Sequence, residues 1–497
     1  MAFRFITLFI FVIQGFQAQN IVLTQGKNFS DPQIQLEPIF IGSDDKTNYL
    51  LRHARHKTRE FKLCSFNNIT SELNYEKNIE LDKDEILVSQ AIASNKIILF
   101  TKAKKTNPSR TLFLIRILNA STGAYLMETM VIQEFQMQNE DIKPIEFDAQ
   151  FSPDSKKMLL ILNNKNNIQG KPEVKLYETE SFKKIWDKQF HETFEKSNTY
   201  PFDFHVDNLG NFIYQIAYYR NVSEKDIGYA LCVSPPDNVS LYNIKFPTEN
   251  KTVIYSNLEF VENQLICNGQ FVDGVNKSLD KADPKTIGFF LLKFDMAKFE
   301  LSQSSFDYFS SELYEKLGNT RPVFKHHRTY IINNEIYEVT FHTLNVYNYY
   351  YYYSSSIQYG KEIVVLKYGQ DGRLKWMQII PRNVAKDANI LHVICTNKIH
   401  LFYSDLQKNL SRFPDITNYD IKRWEPTGGM GKATLTLCVT INSSGKMVRE
   451  VVRPAESNTH LMKFNAHCIK PNSPLPMRFN YNKRAKIGRM DLLTISD

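Results

Sequence analysis

Residues 363–381, IVVLKYGQDGRLKWMQIIP, decide the fold. Two β-favouring apolar runs, Ile363–Tyr368 and Leu374–Ile380, flank Gly369-Gln370-Asp371-Gly372. Glycines reach positive φ without steric cost, so this turn lets the second run fold back on the first as a hairpin.

Outward from this unit the same layout recurs at 61–81, 112–132, 173–190, 230–246, 289–306 and 436–452: an apolar strand, a short polar turn, then a second strand. A different hairpin precedes most copies, at 92–100, 147–162, 204–216, 258–269, 330–341 and 393–403, with 39–53 as its first instance. Its turns are Ser-Pro-Asp-Ser, Asp-Asn-Leu-Gly or an Asn/Glu pair, residues that pre-set or tolerate turn dihedrals. Alternating the two hairpins gives a four-stranded unit repeating roughly every 50 to 75 residues. One such sheet cannot cover both its faces. Copies must therefore stack around an axis, each burying its neighbour's face, which predicts an all-β single β-propeller over 19–497.

Beyond the last copy, Leu461–Ile469, Met477–Tyr481 and Lys486–Ile495 supply three further strand candidates, and Ile21–Thr24 a fourth. Joining them closes the ring through both chain ends and removes exposed sheet edges. This favours eight four-stranded blades over the alternative of seven. Helical periodicity is weak; Ser310–Leu317 is expected to form a short helical turn in a connection. Residues 345–359, NVYNYYYYYSSSIQY, read as a low-complexity insertion, and Lys408–Lys432 as the longest irregular connection.

Of 497 residues, 42% are hydrophobic and 13% aromatic, with 35 Phe and 26 Tyr, enough for a large core and unlike a disordered chain. The balance of 61 basic against 53 acidic residues gives +8, but the basic residues are dispersed apart from short clusters at Arg52–Lys62 and Lys483–Arg489. A nucleic-acid partner is therefore not expected. Residues 1–18 read as a signal peptide: Arg4, the apolar run Phe5–Ile13, then a polar exit ending on Ala18. No later apolar run approaches the roughly 18 residues of a membrane-spanning helix. A secreted or periplasmic, cell-envelope location follows. Cys64, Cys232, Cys267, Cys395, Cys438 and Cys468 form no Cys-x-x-Cys pair, so zinc and thioredoxin-type chemistry are unsupported; disulfide connectivity stays open.

No nucleophile elbow, zinc-protease helix or phosphate loop is present. Gly428-Gly429-Met430-Gly431-Lys432 lacks the upstream glycine spacing, and Ala433 stands where a magnesium-binding hydroxyl would be. Asp44-Asp45, Asp82/Asp84/Glu85 and Asp280/Asp283 do not follow calcium-loop spacing and are expected in turns and on the surface. His326-His327 reads as a strand-surface pair, since neighbouring residues on a strand face opposite ways. No catalytic, metal or cofactor residues are assigned, and no cofactor is expected. The tyrosine run, Tyr349, Tyr350, Tyr351, Tyr352 and Tyr353, is the candidate binding element, because amphipathic rings with few rotatable bonds make good contact surface.

FSPDSKKMLLIL at 151–162 resembles the first hairpin of WD40-like repeats. LNASTGAYLME, KYGQDGRLKWMQ and YETESFKKIWDK are similar to turns of the eight-bladed quinoprotein-type repeat, in which a Trp docks one blade on the next. That resemblance implies a blade-docking role for Trp186 and Trp376, with Leu126 and Val448 at comparable positions and Trp424 outside the pattern. The chain as a whole resembles exported bacterial propeller proteins, and a propeller hosts many functions. The resulting expectation is a non-catalytic scaffold for a protein or surface-polymer partner. The alternative is a propeller enzyme, a hydrolase or lyase, with its site at the central channel mouth.

Overall fold

A computed structural model describes residues 20–24, 29–30, 39–44, 46–53, 59–106, 109–136, 146–163, 173–189, 199–221, 226–237, 241–248, 250–274, 286–317, 323–350, 353–382, 384–385, 390–419, 423–425, 434–456, 459–461, 475–482 and 487–496. Residues 1–18, Cys468, Asp280, Asp283 and the 428–432 glycine segment lie outside them.

After β1 (Asn20–Thr24) and β2 (Phe29–Ser30), seven antiparallel sheets follow, each built on four consecutive strands. Sheet 1 holds β3 (Ile39–Ser43), β4 (Thr47–His53), β5 (Glu60–Asn67) and β6 (Leu73–Glu80). Sheet 2 holds β7 (Glu85–Ala93), β8 (Lys96–Thr106), β9 (Ser109–Asn119) and β10 (Met130–Gln136). In sheet 3 are β11 (Glu146–Phe151), β12 (Lys157–Asn163), β13 (Glu173–Glu178) and β14 (Lys184–Gln189); in sheet 4, β15 (Thr199–Val206), β16 (Phe212–Asn221), β17 (Asp226–Ser234) and β18 (Tyr242–Lys245). Sheet 5 comprises β19 (Lys251–Val261), β20 (Gln264–Asp273), β21 (Gly288–Asp295) and β22 (Glu300–Tyr308). Sheet 6 comprises β23 (Val323–Ile332), β24 (Glu335–Tyr350), β25 (Tyr353–Tyr368) and β26 (Leu374–Ile380), with β27 (Val384–Ala385) added to β25. Sheet 7 comprises β28 (Leu391–Cys395), β29 (Lys398–Asp405), β30 (Thr434–Ile441) and β31 (Met447–Glu456).

An eighth, closing sheet joins β32 (Thr459–Leu461), β33 (Leu475–Asn482) and β34 (Ile487–Ser496) to β1, with β2 also on β34. The register runs from Asn20↔Ser496 to Thr24↔Leu492, so both chain ends meet in one sheet. Leu492, Leu493 and Ile495 of β34 share one apolar cluster with Leu50, Cys64 and Phe66 of sheet 1 and Leu391, Val393 and Cys438 of sheet 7. The closing sheet thus packs on both neighbours, and the ring is sealed. Local chemistry explains the elements: Ser94-Asn95, Glu262-Asn263, Asn333-Asn334 and Thr396-Asn397 all take positive φ at both positions, the geometry of tight two-residue hairpin turns. Asn67, Asn119, Asp295 and Asn442 each accept backbone N–H bonds from residues two or three ahead, closing the turn between third and fourth strands.

Among the described residues helix is almost absent. Its two short α-helical pieces there are α1 (Ser311–Lys316), capped by Ser310 Oγ on the Leu313 N–H, and α2 (Gln407–Arg412), which overlaps the start of the connection expected to be irregular. The 345–359 stretch is likewise no insertion between elements. It forms the far ends of β24 and β25, paired from Asn345↔Gln358 to Tyr350↔Tyr353.

Candidate functional site

First strands of successive sheets touch one another, β3 with β7, β7 with β11, β11 with β15, β15 with β19 and β19 with β23, so they form the inner ring of the propeller. Five of them carry a register shift, at Phe40/Gly42, Leu87/Ser89, Phe202/His205, Val253/Tyr255 and His326/Arg328. Such bulges re-aim side chains. On β15, β19 and β23 the result is a polar cluster spanning three sheets.

At its centre is His326, whose ring nitrogens lie 3.3 Å from Glu259 Oε2 and 3.3 Å from Glu338 Oε1. Glu259 also meets the Arg328 guanidinium at 2.8 Å and accepts the Thr329 N–H at 3.1 Å. Burial by itself would lower the His326 pKa, but the two carboxyl partners outweigh it and hold the imidazole at about 9. Burial would raise Glu259, yet His326 and Arg328 hold it below the ordinary range. Beside this group Asp203, at φ 55°, binds His205 Nε2 at 3.0 Å, Gln215 Nε2 at 2.8 Å and the Leu258 N–H at 2.5 Å. Gln215 in turn accepts the Ser256 hydroxyl at 2.9 Å.

Chemically this arrangement holds charge in place. An imidazole already protonated near neutral pH and clamped from both sides is a poor general base, which needs a pKa near the working pH. Glu259 is engaged by three donors. Ser256 Oγ donates to the Gln215 amide oxygen instead of to a base. What the cluster does visibly is tie three inner strands together: the Leu258 N–H links sheet 5 to Asp203 of sheet 4, and Glu259 links it to sheet 6.

His326 is therefore no surface residue as the sequence suggested, because its side chain is 6% exposed. The sequence signal lay in Glu338, a lone charge within the apolar run IYEVTF, which demands a buried partner. Glu85 corrects the surface expectation in the same way: fully buried, it binds Arg116 through Nε at 2.9 Å and Nη2 at 2.5 Å, and accepts the Thr101 hydroxyl. Asp44 does sit in a turn, accepting from the Lys46 N–H at 2.9 Å and the Tyr49 hydroxyl at 2.7 Å. Among the described residues no group of three or more His, Cys, Asp or Glu is placed to hold a metal ion, and no helix is long and apolar enough to cross a membrane. Five cysteines, Cys64, Cys232, Cys267, Cys395 and Cys438, are buried.

Trp186 is buried among residues of sheets 3 and 4, its ring 6.1 Å from Phe212. Trp376 donates Nε1–H to the Ser443 carbonyl of sheet 7 at 3.2 Å and meets Tyr337 edge-on. Trp424 is also buried, stacked on Phe413 at 5.3 Å. The tyrosine run lies at the far end of the strand that carries Glu338: Tyr349 and Tyr350 end β24 and Tyr353 begins β25, while Tyr351 and Tyr352 lie outside the described residues.

The two ends of the ring differ. In the seven consecutive-strand sheets, links between first and second strands are two to five residues long. Links between second and third strands, and from sheet to sheet, leave the opposite face and include 164–172, 190–198, 274–287, 309–322 and 406–433. The long β24–β25 hairpin leaves that same face.

No family model matches the chain, and no curated protein matches it. Among solved structures it is similar to a europium-containing methanol dehydrogenase, at 10% identity over 95% of this chain and 93% of that one, TM-score 0.42. It is also similar to the β-propeller domain of the Trilobed protease from Pyrococcus furiosus, at 9% identity over 86% and 97%, TM-score 0.39. A polysaccharide lyase of the ulvan lyase family PL25 shows 9% identity over 87% and 97%, TM-score 0.38.

Proposed function

We propose that the chain is an exported, non-catalytic β-propeller that serves as a binding scaffold, taking a protein or surface-polymer partner on its loop-rich face. One observation carries this reading: the longest connections and the longest hairpin gather on one end of the ring, while the links at the other end, between first and second and between third and fourth strands, are two to ten residues long. Extended loops cost conformational entropy and add little core, and binding surfaces are commonly built from loops set on a rigid scaffold. The clamped His326 supports the choice of scaffold over a hydrolase or lyase at the channel mouth. Export rests on the Arg4, Phe5–Ile13, Ala18 pattern.

The test is affinity capture from envelope and secreted fractions, using the full chain beside two variants, one lacking 275–285 and one lacking 345–359. We expect a specific partner held by the full chain and weakened by at least one deletion. Equal capture by all three would overturn the assignment of the face, and turnover of a polymer or peptide by the purified chain would overturn the non-catalytic reading.

A further inference from the structure

Sheet 6 contains two 16-residue strands, and only part of their length belongs to the sheet. On one side β23 accompanies β24 as far as Val323↔Thr343. On the other, β26 accompanies β25 from Ile363 onward, and β27 covers Tyr359 and Gly360. Past those points Asn345–Tyr350 and Tyr353–Gln358 pair with each other, and Leu344 with Tyr359; among the described residues Leu344–Tyr350 and Tyr353–Gln358 meet no further strand. At about 3.4 Å per residue the ribbon runs roughly 24 Å beyond the blade. Its sequence, TLNVYNYYYYYSSSIQYG over 343–360, holds no charged residue and no proline.

An open strand edge is a template for another strand, and edges are normally blunted with lysine, proline or a cover. This one is not. A two-stranded ribbon alone is marginally stable in water, whereas three or more strands with packed faces hold together. We infer that the β24 edge, Leu344–Tyr350, pairs antiparallel with the same edge of a second copy of this chain, making a four-stranded sheet across a twofold axis.

A second copy fits better than a foreign strand because the edge offers no charge by which to select one, and specificity needs such attractive or repulsive features. An antiparallel pairing about a twofold axis at Tyr347 sets Tyr347 opposite Tyr347, Val346 opposite Asn348, Asn345 opposite Tyr349 and Leu344 opposite Tyr350, with no like charges facing each other. The β25 edge is the shorter choice, since β27 takes Tyr359 and Gly360 and leaves Tyr353–Gln358, six residues against seven on β24. A shared edge also closes on itself, so association stops at two. This goes beyond the scaffold reading, since it concerns the purified chain alone and needs no partner.

Sedimentation velocity of the full chain over a concentration series, with variants Tyr347→Lys, Tyr347→Phe and deletion of 345–357, tests it. Tyr347 is the middle residue of Leu344–Tyr350, so Y347K sets two lysines opposite each other at the axis. Expected are twice the chain mass for wild type and Y347F, and single-chain mass for Y347K and the deletion. A monomeric wild type, a dimer that survives both Y347K and the deletion, or open-ended polymer would each overturn the inference. If Y347K misfolds, the deletion decides, because it leaves every pairing of β24 with β23 in place. Hydrogen exchange gives a second readout: amides of 344–350 should gain protection with concentration, and unchanged exchange would count against the dimer.

Discussion

At the residue scale, His326 and Gly445 show how single positions are fixed by contacts far away in sequence. His326 has a folded-state pKa of about 9 against an ordinary 6.5, because Glu259 and Glu338 outweigh its burial. A raised value means stabilisation fully present below pH 6.5 and lost as pH rises through 9. Melting temperatures from pH 6 to 10 should therefore fall more steeply for wild type than for His326→Gln across that window; parallel curves would show that the pairing contributes nothing. Gly445 sits at φ +85°, and a Cβ there would lie 3.1 Å from Trp376 Cδ2. Gly274 has the same φ with nothing within 4 Å. Left-handed backbone costs about 1–2 kcal/mol for a non-glycine residue. Urea unfolding should show Gly274→Ala losing about that much and Gly445→Ala losing more, the excess measuring the crowding against Trp376. The turn glycine was legible in the sequence. Its contact with Trp376 was not, although the quinoprotein-type resemblance implied a docking role for that tryptophan.

At the scale of elements, hairpins were read correctly because their signals are local: alternating apolar runs and Asn, Asp or Gly at turn positions. Longer-range pairing of buried side chains was invisible. The run FLIRIL on β9 announces a strand, but only sheet 2 reveals that Arg116 reaches Glu85 at the head of β7. Breaking a buried pair from one side typically costs 3–5 kcal/mol, whereas replacing both members with apolar residues is often near neutral. Glu85→Ala should accordingly lower stability by roughly that amount, and Glu85→Leu with Arg116→Met should recover most of it; chemical denaturation of the three proteins checks this. Equal losses in single and double variants would mean that Glu85 acts through Thr101 or packing instead. The tyrosine run read as a low-complexity insertion for a related reason: polar, repetitive composition carries no apolar alternation, and strand formation there follows from the hairpin that starts at Glu335 and Tyr368.

For the whole molecule, ring closure is the structural event on which the rest depends. The closing sheet takes its outer strand from the other end of the chain, with Ile21 packed against a cluster shared by sheets 1 and 7. Removing residues 20–24 should expose the β34 edge, lower the melting temperature and broaden the transition, as calorimetry would show; an unchanged sharp transition would mean that the ring does not need that strand. Sequence alone determined the strand content, the two turn chemistries and the repeating four-stranded unit, since these depend on residues a few positions apart. It also pointed to both ends meeting, because an unpaired terminal strand is a liability. Tertiary structure alone decided which charges are buried and paired, which end of the ring carries the loops, and how far β24 and β25 run past their sheet. Those properties depend on which strands become neighbours, and neighbours in this fold come from residues tens to hundreds of positions apart.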